Sequence, residues 1–339
     1  MAYCIQVVSL PILIKNVSMD VALLVIGLGV LVFGGEFLVR GAVGFSRTMK
    51  LSPLVVGMTI VAFGTSAPEL LVSLTSALQG NPEIAVGNVV GSNIANIALV
   101  LGITVIIFPI IVKKQVKRID FPVMMGATLL FLFFSMDGEL VLWEGLSMVL
   151  IIIAFTFLLI RHAKNKSIEE GNEDWSDEVQ LPSFWKSLLF LNIGFVGLYF
   201  GADWFIKGAV GIADYLLADD PNKNTIIGVT VVAFGTSAPE LVASGVAAYK
   251  KETDISVGNL IGSNVFNILL VLGITSMVKP IPVSEEIMSF DIYWVIGVAF
   301  LLFLALFIGN KIGRMKGVIL LLTYFAYITV ILLKVKGVI

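Results

Sequence analysis

The sequence predicts an all-α polytopic membrane protein, with ten transmembrane helices arranged as two inverted five-helix repeats. Three observations carry that prediction. The 339-residue chain is 58% hydrophobic and only 14% charged, far from the balance of a soluble domain. Its apolar residues gather into ten stretches, each near the roughly 20 residues that a helix needs to cross a bilayer. The string VAFGTSAPEL occurs twice, at 61–70 and 232–241, each time inside such a stretch.

The expected spans are residues 21–39, 51–78, 84–111, 119–136, 141–160, 184–206, 225–249, 255–278, 290–308 and 317–333. Residues 5–14 are apolar but short and carry Pro11, so 1–19 reads as an N-terminal extension. The first span is glycine-rich and ends on Glu36 and Arg40, an acid–base pair four residues apart; Asp203 and Lys207 close the sixth span likewise. The second and third spans carry the polar residues that recur in the seventh and eighth. The others are plainly apolar. Between the fifth and sixth spans, residues 162–183 form a polar linker with Glu169, Glu170, Glu173, Asp174, Asp177 and Glu178. This divides the chain into five-helix units at 20–161 and 184–339.

One cysteine and one histidine exclude a disulfide framework and Cys/His metal sites, which need several such ligands together. Any bound metal must be held by oxygen. No basic block of the kind that binds nucleic acid is present, and nothing implies an obligate protein partner. Loops on one side of the membrane hold 16 of the 22 Lys and Arg residues. The positive-inside rule then puts the linker 162–183 in the cytoplasm and both termini outside it.

Residues 57–102 align with 228–273 at a constant offset of 171, with 27 identities among 46 positions. The preceding span repeats more loosely at 167, pairing Gly34, Glu36 and Gly41 with Gly201, Asp203 and Gly208. An odd number of helices per unit makes the second copy enter from the opposite side, an inverted repeat. A carboxylate near the bilayer midplane costs roughly 2.5–3.5 kcal/mol on insertion scales, and no basic residue in the same spans pairs with Glu69 or Glu240. The pair therefore points to a membrane site for positive charge.

Each GTSAPE places Thr65, Ser66 and Glu69, or Thr236, Ser237 and Glu240, within about one helical turn. Pro68 removes an amide donor and clashes with the carbonyl of Gly64, so the helix should break there. The following spans carry GNVVGSNIANIALVLG and GNLIGSNVFNILLVLG, in which Ser92 and Asn96, and Ser263 and Asn267, share a helix face. Asn88 extends that stripe. Gly87 and Gly91, and their counterparts Gly258 and Gly262, have the spacing that lets helices approach closely. Hydroxyl, carbonyl and carboxylate oxygens together suit hard cations.

These motifs resemble the two alpha repeats of the cation/calcium antiporter superfamily, and within it the prokaryotic-type sodium/calcium exchangers, over the whole membrane core. The resemblance implies a Ca²⁺/Na⁺ antiporter of the plasma membrane, not an enzyme, that works by alternating access with both ions competing for a midplane site. It implies that Glu69 and Glu240 bridge Ca²⁺, with the Ala62 and Ala233 carbonyls, Thr65, Ser66, Thr236, Ser237, Ser92, Asn96, Ser263 and Asn267 completing the ligand set. The first and sixth helices correspond to the family's gating pair. Ca²⁺ and Na⁺ are substrates, so no cofactor is expected. Many sodium/calcium exchangers carry aspartate where this chain has Asn267, which leaves proton coupling and potassium dependence as alternatives; Mn²⁺ shares the same oxygen ligands, and a cation channel, which also uses carboxylates and carbonyls, is the more distant alternative.

Overall fold

A backbone in hydrocarbon must satisfy its own polar groups, so each apolar stretch closes its hydrogen bonds internally as a helix. The computed structural model describes residues 2–169, 183–218, 220–309 and 311–338. Its spans are α1 (Ala2–Met49), α2 (Pro53–Leu78), α3 (Glu83–Ile107), α4 (Val116–Asp137) and α5 (Leu142–Glu169), then α6 (Phe184–Leu216), α7, α8 (Thr253–Val278), α9 (Ile287–Phe307) and α10 (Arg314–Val335). The membrane part of α7 is built from Thr230–Thr236 and Ala238–Tyr249, set at 50° to each other. Among the described residues, this makes nine helices long and apolar enough to cross a membrane, and ten when the bent pair counts as one span.

Two helices run past the expected spans. The segment before the first span is helical too: α1 runs from Ala2 through Pro11 into the span, which begins at Val17, because one proline deletes one hydrogen bond and a helix held elsewhere continues past it. Helix α5 continues beyond the expected end at Ile160 to Glu169, through Arg161, Ala163, Lys164 and Lys166, which favour helix in water as well as in lipid. The remaining acids of the linker, from Glu170 to Glu178, lie outside the described residues.

Helices α3 and α8 are the most buried spans and form the centre, while α5 and α10 face outward. Helices α1 and α6 pack antiparallel along most of their length. Glycine makes this approach: Gly27, Gly34 and Gly41 recur every seven residues on α1, and Gly194, Gly201 and Gly208 recur likewise on α6. A Cβ at Gly34 would stand 2.6 Å from the Leu198 nitrogen, and one at Gly201 would stand 2.6 Å from that of Leu31. The two backbones therefore touch directly.

The inverted repeat is visible throughout. Gly102 meets Gly317 where α3 crosses α10, and Gly273 meets Gly145 where α8 crosses α5. Short antiparallel ladders pair Ile110–Ile111 with Lys311–Ile312, and Glu139–Leu140 with Ile281–Pro282. Exchanging the halves turns one ladder into the other. Wider π turns also recur at equivalent places: Gly57–Val61 and Gly228–Val232, Ala95–Val100 and Asn267–Leu272, Val116–Asp120 and Ile287–Asp291.

Backbone contact leaves no room for a larger side chain, whereas a Cβ at Gly29 meets no described atom within 4 Å. Gly201→Val should lower the melting temperature of the detergent-purified protein by the equivalent of about 1–3 kcal/mol. Gly29→Ala should hold or raise it, since Ala favours helix over Gly. A thermal-unfolding series on both variants checks this.

Candidate ion-binding site

The site is built where α2 and α7 break. Ser66 (φ −83°, ψ 0°) and Ser237 (φ −85°, ψ 2°) leave the helical region, and new helices start at Ala67 and Ala238. The break falls just ahead of Pro68 and Pro239, whose missing N–H is tolerated only in a first helical turn. Glu69 and Glu240 then occupy the first turns of the new helices. There the positive end of the helix dipole favours a carboxylate.

The second halves of the broken helices cross between the repeats. Ala67–Leu78 packs on the π turn Asn267–Leu272 of α8, and Ala238–Tyr249 packs on the π turn Ala95–Val100 of α3. This brings Glu69 towards Asn267, and Glu240 towards Asn96. Thr65, Ser66, Glu69, Ser92, Asn96, Thr236, Ser237, Glu240, Ser263 and Asn267 are all buried. Ala62 is buried too, and its carbonyl accepts the Ser66 N–H at 3.0 Å, so it is not freed by the break. Ala233 starts the short helix before the break in α7.

Most of these oxygens have no partner within the protein. Both carboxylate oxygens of Glu69 and of Glu240 are buried without a hydrogen bond, as are the hydroxyls of Ser66 and Ser237, both amide atoms of Asn96 and Oδ1 of Asn267. Buried polar groups are otherwise almost always satisfied. Glu69 lies beside Ser92, and Glu240 lies beside Thr65 and near Glu69, in geometries that stop short of hydrogen bonds. Two carboxyls so placed in a low dielectric cannot both be ionised without compensation, which a proton or a bound cation can supply. No group of three or more His, Cys, Asp or Glu side chains that could hold a metal occurs among the described residues. The other unpartnered groups at the two breaks and on the central helices beside them are hydroxyls and amides.

Not every polar residue faces the cluster. Asn259 donates to Ser244 Oγ at 3.0 Å and accepts from the Thr65 hydroxyl at 3.0 Å, leaving Ser263 to donate to Thr65 at 3.2 Å. In the first copy, Asn88 donates to Ser73 Oγ at 3.1 Å and to the backbone carbonyl of Glu69 at 3.3 Å. These asparagines pin the broken helices to α3 and α8. Sequence reasoning passed over Asn93 and Asn264, although both lie inside the repeated GSN motif. The Asn93 amide donates to the Asn264 carbonyl at 3.2 Å, and Asn267 donates to Asn93 Oδ1 at 3.2 Å, joining the two central helices.

The glycine expectation holds for one copy. A Cβ at Gly258 would stand 2.4 Å from the Leu54 carbonyl, and one at Gly262 would stand 2.7 Å from Ala62. No described atom lies within 4 Å of the same point at Gly87 or Gly91. Beside the break, a cavity of about 250 Å³ is bounded by Gly64, Pro68 and Pro239 and by Phe195, Leu198 and Tyr199 of α6. The Phe195 ring covers Gly64 so closely that a Cβ there would fall 1.8 Å from it. At the other end of α1, Glu36 accepts from both Arg40 and Lys250. The expected pair is therefore a three-residue link between α1 and the end of α7.

A model of the family described as "Sodium/calcium exchanger protein" matches residues 19–161 and 186–333. The chain belongs to the sodium/calcium exchanger family. It is 36% identical over 307 residues to the putative antiporter CaxA of Alkalimonas amylolytica, covering 89% of this chain and 95% of that one. It is 30% identical to the sodium/calcium exchanger MaX1 of Methanosarcina acetivorans, covering 93% of this chain and 99% of that one. Among solved structures, the sodium-calcium exchanger NCX_Mj superposes with a TM-score of 0.78 at 33% identity, covering 93% of this chain and 99% of that one. Membership makes this exchanger a cation/Ca²⁺ antiporter in class and a transporter rather than an enzyme.

Asn259→Ala removes both the acceptor for Thr65 and the donor to Ser244. Leaving two buried hydroxyls short of a partner costs about 1–3 kcal/mol. The variant should unfold at correspondingly lower temperature in detergent while keeping its helical circular dichroism.

Proposed function

We propose that this exchanger moves Ca²⁺ out of the cytoplasm across the plasma membrane in exchange for Na⁺, by alternating access at one midplane site. The observation that carries the reading is the pair of buried carboxylates whose four oxygens have no protein partner. Glu69 and Glu240 act as the shared ligands, one from each inverted copy. Ser66, Ser237, Asn96 and Asn267 supply neutral oxygens around them, Thr65, Thr236, Ser92 and Ser263 complete the cage, and the carbonyls of Ala62 and Ala233 close its ends, that of Ala62 through the lone pair not used by the Ser66 N–H. Oxygen-only coordination of this kind accepts both Ca²⁺ and Na⁺ and excludes softer metals.

Competition for the cage produces exchange without covalent chemistry. The empty cage holds two carboxylates that repel one another, so it resists the passage between open states. Filling it with Ca²⁺ or Na⁺ balances that charge and lets the protein switch. Helices α1 and α6 act as the moving pair, because their contact is backbone on backbone and α6 walls the cavity beside the break. The excess of basic residues in the loops that include 162–166 sets that side in the cytoplasm and both termini outside. An inward Na⁺ gradient then drives Ca²⁺ outward.

Everted membrane vesicles test the coupling. An imposed Na⁺ gradient should drive ⁴⁵Ca²⁺ uptake, and dissipating a proton gradient should leave that uptake unchanged. Uptake that ignores Na⁺ and collapses with the proton gradient would replace Na⁺ by H⁺ as counter-ion. Flux that needs no counter-ion would return the site to a channel. Glu69→Gln and Glu240→Gln should each abolish exchange, with the purified variants remaining monodisperse and folded; transport surviving in either would remove that carboxylate from the mechanism.

A further inference from the structure

We infer that Glu36 and Lys250 form a one-sided latch: their ion pair holds α1 on the second half of α7 and keeps the cytoplasmic side of the molecule shut, while the matching position on the outer side, Gln79, gives α6 no such hold. The inference rests on the alternating-access reading above and on its orientation in the membrane.

Inverted copies give every contact a counterpart, and here the counterparts differ. Val242 and Val246 of the second half of α7 pack on α1, where a Cβ at Gly35 would stand 2.8 Å from one and 3.4 Å from the other. Ala243 and Ala247 are buried in one cluster with Leu38, Val39 and Ala42 of α1. In the first copy, the residues equivalent to Val242, Ala243 and Val246 are Leu71, Val72 and Thr75, and all three are exposed. Helix α6 scarcely touches that half of α2. A cavity of about 250 Å³ stands between Pro68 and the α6 residues Phe195 and Tyr199 instead. The molecule is thus closed where α1 meets α7 and open where α6 would meet α2.

Charge follows the same asymmetry. Glu36 and Asp203 are equivalent, as are Arg40 and Lys207, and each acid takes the base one turn along its own helix. Glu36 also reaches another helix, through Lys250. Lys250 and its counterpart Gln79 hold the same place, the C-cap of a broken helix just before a positive φ at Lys251 (64°) and at Gly80 (98°). Glutamine brings no charge to Asp203 when α6 closes on α2. The cross-helix ion pair therefore exists in one state and has no equivalent in the other. A contact made in one state alone shifts the population towards it by that contact's free energy. Lys250 and Glu36 keep 28% and 29% of their side chains exposed, so solvent screens the pair and the shift is a few-fold, which leaves the switch reversible.

The test labels the purified full-length protein with a water-soluble maleimide, after Cys4→Ser has removed its single cysteine. Val246→Cys reports the contact of α1 with α7, and Thr75→Cys, at the equivalent position, reports the open side. With the latch intact, the thiol at 75 should react faster than the thiol at 246. Lys250→Met and Glu36→Gln should each raise the rate at 246 and lower the rate at 75, by about two- to fivefold. Gln79→Lys, which supplies the missing base opposite Asp203, should move both rates in the same directions. Glu36→Lys combined with Lys250→Glu should restore the starting rates. Opposite changes at the two positions support the latch. Equal rises at both, the sign of a merely loosened structure, or no change at either, overturn it. Na⁺-driven ⁴⁵Ca²⁺ uptake by the unsubstituted protein separates the two readings: where uptake persists, unchanged labelling overturns the latch alone, and where uptake is absent the exchange reading falls and the latch with it.

Discussion

Two carboxylates buried without a protein counter-charge are the constraint on which the rest of this molecule depends. An apolar chain carries such a pair only at a cost that a proton or a bound cation must offset, and the neighbouring structure is arranged around it. The helix breaks at Ser66 and Ser237 set each glutamate in a first helical turn, where the local dipole favours a negative charge. Asn88 and Asn259 hold the broken helices on α3 and α8. Gly258 and Gly262 bring α8 against the first half of α2 so that the two copies share one interior.

The two-fold relation between the copies is close but incomplete, and the departure lies at the centre. Asn267 donates to Asn93, yet the equivalent Asn96 makes no such bond: the Asn264 NH₂ donates back along its own helix to the Leu260 carbonyl at 2.7 Å, and Asn264 Oδ1 is left without a partner. Phe195 covers Gly64, while the equivalent Gly235 is met by Ile206 of the same helix α6. One helix of the outer pair thus contacts both breaks.

The sequence is a good guide to what depends on composition and covalent pattern. Ten apolar stretches, the offset of 171 and the two GTSAPE strings gave the architecture and the residues that meet at its centre. Pro68 and Pro239 announced the breaks, although the backbone departs from helix at the serine two positions earlier. What escaped is what depends on which way a side chain turns. Asn93 and Asn88 look alike in the repeat, yet one joins the central helices and the other anchors α2. Spacing alone could not separate Gly258, which touches a backbone, from Gly87, which meets no described neighbour. Hydropathy likewise measures bilayer thickness rather than helix length, so α1 and α5 extend past their expected ends.

The π turns carry a record of descent. A single extra residue in a helical turn weakens its hydrogen bonding and survives where function retains it. Here the same departure stands at three equivalent places in both copies, including the turns that begin at Ala95 and Asn267. Three coincidences of this kind are inherited together rather than acquired twice. The departures from α geometry are thus as old as the repeat itself: a five-helix unit that carried its bulges into the duplication accounts for all six at once.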